Sequence, residues 1–298
     1  MPEELAPGLY LVATPIGNLS DITLRALEVL KHADRIACED TRQTQKLLNH
    51  FAISTPTVSF HQHNERDRAA ELIATLKNGG TIAVVSDAGM PGISDPGSWL
   101  VTEAIAAGIP VIPIPGANAA LSALIASGLP TGDFQFLGFP PEKAGARRTR
   151  LEDLAAQPRD SAQTVIFYEA PHRIAETLAD LESVFGPALR VVAARELTKL
   201  HEEFLRGTVA EVRRNLAARD RIRGEFTLLI EAPPQSATTS GAPGLDSQTR
   251  ETISVRIARL QSEHNLDEKE ALKRLARETG QSKSELYREL QRERARLR

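Results

Sequence analysis

Ser86-Asp87-Ala88-Gly89-Met90-Pro91-Gly92-Ile93-Ser94-Asp95-Pro96-Gly97 follows directly on the apolar run Ile82 to Val85. With three glycines and two prolines in twelve residues, this stretch is neither helix nor strand interior. Glycine loosens a regular backbone, and proline removes its hydrogen-bond donor. A buried strand ending in so stiff a turn sets backbone N–H groups and a carboxylate, Asp87, at the carboxyl edge of a sheet. Open α/β folds bind their ligands at that edge. Standing alone, such a cluster would read as a surface turn.

It has two counterparts. Gly8 to Ala13 is a short apolar run that stops at Thr14-Pro15-Ile16-Gly17-Asn18-Leu19-Ser20-Asp21. A helix is predicted next, with Ser20 or Asp21 as N-cap and Ile22, Leu27 and Leu30 on its apolar stripe. Val111 to Ile114 ends at Pro115-Gly116-Ala117-Asn118 and leads into the Ala/Leu-rich helix Ala119 to Ala126. Three strands that each end in a Gly/Pro loop feeding a helix predict an α/β fold with a small-molecule pocket at one sheet edge.

Length and composition narrow the class. A chain of 298 residues can build two domains with cores of their own. Hydrophobic content of 41% with 25% charge is that of a globular protein. The single cysteine, Cys38, excludes internal disulfides and cysteine-rich metal sites; its apolar run Arg35-Ile36-Ala37-Cys38 predicts a buried, inert thiol. The acidic Met1-Pro2-Glu3-Glu4 is no signal peptide and no stretch approaches a membrane span, so a cytoplasmic protein is expected. Neither GxxxxGK[ST] nor GxGxxG occurs, which argues against nucleoside triphosphates and dinucleotides. Without HExxH or a Cys/His cluster, no catalytic metal is expected.

Residues 1–115 read as a first α/β domain and 116–232 as a second. In the second, Phe134 to Phe139, Thr164 to Tyr168, Val191 to Ala194 and Phe226 to Ile230 are predicted strands. Arg147 to Ala155, Arg173 to Phe185 and Val209 to Ala217 are predicted helices. Glu203 to Gly207 reads as a tight turn, implying a mixed sheet. Residues 233–247, rich in Pro, Gly, Ser and Thr, read as a flexible linker. Beyond it, residues 248–298 suggest a helix-turn-helix-like module. One stripe carries Ile253, Ile257 and Leu260; a second helix capped by Asp267 carries Ala271, Leu272, Leu275 and Ala276. A third, capped by Ser282, carries Leu286 and Leu290. From Leu245 onward there are 13 basic against 10 acidic residues, whereas the remainder has 23 against 29. An acidic body with a basic tail points to a polyanionic partner reached through the tail, the alternative being a helical hairpin that packs on the body or on a second subunit.

Charged sets cluster at predicted strand ends. Glu39-Asp40-Thr41-Arg42 follows one strand, Glu169 and Arg173 another, and Arg195, Glu196 and Lys199 a third. That is where α/β sheets carry site residues, the alternative being interdomain ion pairing.

The segments ATPIGNLSDIT from Ala13, EDTR from Glu39, HNE from His63, SDAGMPGISDPG from Ser86, FYEAPHR from Phe167, RELTK from Arg195 and GEFTLLI from Gly224 occur in this order. Together they resemble the tetrapyrrole methylase superfamily, and within it the branch that methylates small-subunit ribosomal RNA, over about Gly8 to Ala232. Met90 stands where that branch usually has threonine, and Ala117-Asn118 replace a common Pro-Ser. The resemblance implies two α/β domains with an S-adenosylmethionine cleft between them, lined by Pro15, Asp87, Gly89, Ile93, Ala117, Tyr168, Ala194, Phe226 and Thr227. It places Glu39, Asp40, Arg42, Glu169, Arg195 and Lys199 on the acceptor side. RNA phosphates would meet Lys143, Arg147, Arg148 and tail arginines including Arg292 and Arg294. The implied activity is 2′-O-methylation of a cytidine ribose in the decoding region of small-subunit rRNA, free or in the assembled subunit, by a homodimer on family analogy. Two other readings stand beside it. A corrin or porphyrin C-methyltransferase predicts no basic helical tail; an RNA-binding relative that has lost catalysis predicts no cofactor binding.

Overall fold

The computed structural model describes residues 5–61, 65–94, 97–235, 257, 260–261, 267–279, 286 and 290. His63-Asn64, the linker beyond Gln235, the Ser282 cap and Arg292 and Arg294 lie outside these. The chain divides into two compact units, residues 1–240 and 241–298.

The first half of the larger unit runs β1 (Gly8–Val12), α1 (Leu24–His32), β2 (Arg35–Cys38), α2 (Thr41–His50), β3 (Thr57–Ser59), α3 (Glu65–Lys77), β4 (Thr81–Val85), α4 (Ser98–Ala106) and β5 (Val111–Ile114). The strands form one all-parallel sheet in the order β3-β2-β4-β1-β5. Alternate side chains face opposite ways along each strand, and both faces are apolar. Tyr10, Val12, Ala83 and Val85 pack under Ala26, Val29 and Leu30 of α1 and Leu48 of α2. Leu9, Ile82 and Val84 pack under Leu72 and Leu76 of α3 and Leu100 and Ala104 of α4. Neighbouring β1 and β4 therefore send their chains to opposite faces, opening a crevice between their carboxyl ends.

The second half adds α5 (Ala119–Ser127), β6 (Phe134–Phe136), α6 (Ala144–Ala156), β7 (Gln163–Glu169), α7 (Ile174–Phe185), β8 (Arg190–Arg195), β9 (Glu203–Thr208), α8 (Val209–Ala217) and β10 (Phe226–Ala232). Its sheet is mixed, in the order β6-β7-β10-β8-β9, with only β6 and β7 parallel. Leu151, Leu178, Leu181, Val212 and Leu216 of α6 to α8 cover one face. Ala120, Ala123 and Leu124 of α5 cover the other, joined there by Ile16 from the loop after β1. That shared packing brings the two sheets together.

Three readings of the sequence need correction. The cap of α1 is Thr23, whose hydroxyl accepts from Ala26 N at 3.0 Å; Ser20 and Asp21 sit in a preceding 3-10 turn capped by Asn18. Glu203 to Gly207 is not a turn but part of edge strand β9, paired along its length with β8. The start of the linker is tied down, since Arg159 and Gln235 exchange backbone hydrogen bonds of 2.9 and 2.8 Å.

In residues 241–298, α9 (Glu268–Thr279) opens as expected on Asp267, whose carboxylate accepts from Glu270 N at 2.7 Å. Ala271, Leu272 and Leu275 are buried with Ile257, Leu260, Leu286 and Leu290 in one cluster, so this unit has a core of its own. Among the described residues no helix is long and apolar enough to cross a membrane, and no group of three or more His, Cys, Asp or Glu gathers as a metal site.

Candidate active site

The loops leaving β1 and β4 are stitched across the crevice. Thr14 N donates to Gly89 O at 2.9 Å and Gly89 N to Thr14 O at 3.1 Å, while the Thr14 hydroxyl donates to Ser86 O at 3.1 Å. The loop after β5 is held by Asn118, which caps α5 by accepting from Leu121 N at 2.9 Å. Asparagine and serine cap equally well, so this departure from the family pattern keeps the local geometry.

These loops, the carboxyl ends of β7 and β8 and the amino end of β10 enclose a cavity of about 480 Å³. That is a volume typical of small-ligand sites. Asp87, Gly89, Met90 and Ile93 form one wall; Tyr168, Ala194, Leu197, Phe226 and Thr227 form the other. The Tyr168 ring is held edge-on by Phe136 and Phe139, at centroid distances of 4.9 and 5.7 Å. Of the residues anticipated for the cofactor, Asp87, Gly89, Ile93, Tyr168, Ala194, Phe226 and Thr227 line the cavity. Pro15 and Ala117 do not, their neighbours Ile16 and Asn118 lining it instead. Sequence reasoning did not name Phe139, His172, Leu197 or Glu225 as lining residues, although the last three lie within the quoted segments FYEAPHR, RELTK and GEFTLLI.

Beside Asp87 lies an acidic corner. Asp40 N donates to Asp87 Oδ1 at 3.2 Å, and Asp40 caps α2 by accepting from Arg42 N at 2.8 Å. The exposed Arg42 guanidinium grips the same carboxylate at 3.1 and 2.9 Å, which holds Asp40 below the usual carboxylate range. Glu39 is pushed the other way, first by burial and then by the charge of Asp87. Cys38, one residue earlier, is buried as expected, and burial raises its pKa.

Opposite stands Lys199, another lining residue. Its ammonium donates to Glu196 Oε1 at 2.9 Å and Glu225 Oε2 at 2.8 Å. Burial opposes its charge, yet these carboxylates hold its pKa above the ordinary lysine value. Lys199 is thus held as a cation between these two carboxylates. Two glycines make room for Lys199 and its partner Glu196. A Cβ on Gly17 would lie 2.3 Å from Lys199 Cγ, and one on Gly224, at φ +86°, would lie 2.4 Å from Glu196 Cγ. Glu196 and Thr198 themselves adopt left-handed backbone, at φ +51° and +65°. Such strain persists only where surroundings over-determine it, as at functional sites.

The other anticipated charges are occupied. Arg195 donates to Glu203 at 3.0 Å and to Arg223 O at 3.1 Å. Glu203 also takes Arg219, and those guanidinium bonds bring its pKa down to about 2. Glu169 lines the cavity, but its carboxylate is buried, accepting from Thr177 Oγ1 at 2.6 Å and Ala170 N at 2.9 Å. Arg147, expected to meet phosphate, is only 1% exposed and donates to Asp180 at 2.8 Å and Glu176 at 3.2 Å. Removing Arg147 would leave the buried Asp180 carboxylate with Arg148 alone, so Arg147 is a structural residue. Arg148 shares Asp180 at 3.2 Å, and Lys143 is exposed before α6.

The sequence pattern of the family described as Tetrapyrrole (Corrin/Porphyrin) Methylases matches residues 8–213. A Halalkalibacterium halodurans protein named Ribosomal RNA small subunit methyltransferase I is 57% identical over 223 residues, 75% of either chain. A Bacillus subtilis protein of the same name is 44% identical over 283 residues, 94% of this chain and 92% of that one. Among solved structures, a Thermus thermophilus uroporphyrin-III C-methyltransferase complexed with S-adenyl homocysteine superposes with a TM-score of 0.51 at 18% identity, covering 75% of this chain and 97% of that one. The stitched loops, the two-walled cavity and this kinship lead to one conclusion: the chain belongs to the tetrapyrrole methylase family, in its branch of small-subunit ribosomal RNA methyltransferases I, and methyl transfer is its chemistry.

Proposed function

We propose that the chain transfers a methyl group from S-adenosylmethionine to the ribose 2′-hydroxyl of a cytidine in the decoding region of small-subunit rRNA. The observation that carries this reading is the cavity itself. Its walls are largely apolar, with Ile16, Met90, Phe139 and Leu197, while Asp87, Asn118 and Thr227 supply a few polar groups. That lining suits a flat base joined to a hydroxylated ribose. The relatives' name supplies the RNA, and the demethylated donor in the Thermus thermophilus structure supplies the cofactor class.

When bound, the donor offers a methyl on a positively charged sulfur: the C–S bond breaks as the acceptor oxygen–carbon bond forms, and the sulfur keeps the electron pair as a neutral thioether. The protein has to hold donor and acceptor in line and take up the hydroxyl proton. Asp87 accepts hydrogen bonds from the donor's hydroxyl or amino groups. Glu39 accepts the proton, and Lys199 stays charged and orients the acceptor side. With rRNA as partner the compartment is the cytoplasm, and the assembly is a homodimer, checked by sedimentation.

Labelled S-adenosylmethionine should methylate small-subunit rRNA, naked or in assembled subunits, with the label mapping to one cytidine ribose. Label entering tetrapyrrole precursors instead, or no calorimetric binding of the donor, would overturn the reading. Deleting residues 245–298 should leave donor binding intact, because every cavity residue precedes them. RNA binding should weaken, with a shallower salt dependence as phosphate contacts disappear. Unchanged RNA affinity and salt slope, with a lower Tm or an altered oligomeric state, would make the tail a packing element.

A further inference from the structure

Arg147 and Arg148 are spent on Asp180, which leaves open where the RNA backbone rests near the cavity. The loop between α8 and β10 offers a different pair. Arg221 and Arg223 are exposed, and the half-buried Ile222 between them packs against the core under α6 to α8. In non-helical chain, neighbours of an inward residue point outward. Among the described residues neither arginine is paired with a carboxylate, although the flanking Arg195 and Arg219 share Glu203. The loop is also fixed in place at the cavity's edge. Arg223 O accepts from Arg195 at 3.1 Å, Glu225 N donates to Glu196 at 3.0 Å, and Glu225, Phe226 and Thr227 line the cavity directly after it.

We propose that Arg221 and Arg223 form the rim contact for the sugar–phosphate backbone of the RNA strand whose nucleotide enters the cavity. This rests on the reading of the substrate as RNA. Two unpaired guanidinium groups on an anchored loop match consecutive phosphates, and arginine binds phosphate oxygens through a planar fork. The excess of acidic residues over the body makes an uncompensated basic pair at this edge a local attractor for a polyanion.

The test uses the full-length chain with both arginines replaced by alanine, and a second variant with both replaced by lysine. Binding to naked small-subunit rRNA and to assembled small subunits is measured across a salt series, alongside calorimetric binding of S-adenosylmethionine and thermal unfolding. Losing two single-strand phosphate contacts should flatten the slope of log affinity against log salt by about 1.4. Affinity at low salt should fall at least tenfold, the lysine pair should restore most of it, and donor binding should not change. An unaltered slope in a folded double-alanine variant would overturn the proposal. So would loss confined to assembled subunits, which would assign the rim to a ribosomal protein, or parallel loss of donor binding, which would make the loop part of the cavity's framework. If wild-type protein neither binds nor methylates RNA, the reading of the substrate fails and this proposal with it. If wild type does so and the double variant matches it, only the rim contact fails.

Discussion

Glu39→Ala should lower turnover by about two to four orders of magnitude, the usual contribution of a positioned general base, while affinity for S-adenosylmethionine stays near wild type. Glu39 lies outside the cavity lining, beside the Asp40–Asp87 link. Burial, then the Asp87 charge, raises its pKa, so the acid limb of the rate profile should lie above the ordinary glutamate value of 4.5. Activity should rise with pH through that limb, because a base must be deprotonated to work. Stability runs the other way. A carboxyl whose folded pKa is raised favours the fold while protonated, and that contribution is lost as pH rises through the folded value. Glu39→Gln should therefore match or exceed the wild-type Tm at neutral pH while remaining slow, as expected where a site is held at some cost in stability. A Tm that drops with the rate would assign Glu39 to structure. Lys199→Ala should likewise slow turnover with donor affinity kept; parallel loss of affinity would move Lys199 to the donor side.

Asp87→Ala should weaken donor binding by about ten- to 150-fold, the equivalent of about 1.5–3 kcal/mol for a hydrogen bond to a charged group. The side chain is exposed and accepts from Asp40 N at 3.2 Å at the start of α2, so the fold should survive. Calorimetry of donor binding, with thermal unfolding as control, decides this. Unchanged affinity in a folded variant would remove Asp87 from the site. Because the Asp87 charge helps raise Glu39, the acid limb of the remaining activity should shift to lower pH.

Legibility followed the range of the forces involved. The ends of β1, β4 and β5 could be read because glycine and proline act on their own backbone. The stripes of α6, α7 and α8 could be read because their periodicity is local. β9 was misread because an edge strand carries charges such as Glu203 and Arg206, as edges must to resist pairing, and charge beside Gly207 resembles a turn. The cap of α1 was misplaced because Ser20, Asp21 and Thr23 are all competent, and only the 3-10 turn selects the last. Arg147 looked like a phosphate ligand because Asp180, the residue that buries it, is 33 positions away. Half the cavity wall was visible for the same reason: Asp87 and Gly89 announce themselves, whereas Leu197 and Glu225 matter only once β8 and β10 are side by side.

The two hydrogen bonds joining Thr14 to Gly89 are made by main chain alone. The frame of the cavity is therefore indifferent to most of what is hung on it. Met90 follows Gly89 directly and faces the cavity, and Asn118 does the same at the start of α5. Met90 can be rewritten without moving the join, whereas Asn118 can change only to another residue that caps α5. A scaffold whose chassis and upholstery mutate separately is a good substrate for innovation: a lineage can change its acceptor, from a macrocycle to a nucleotide, by relining a room whose beams stay in place.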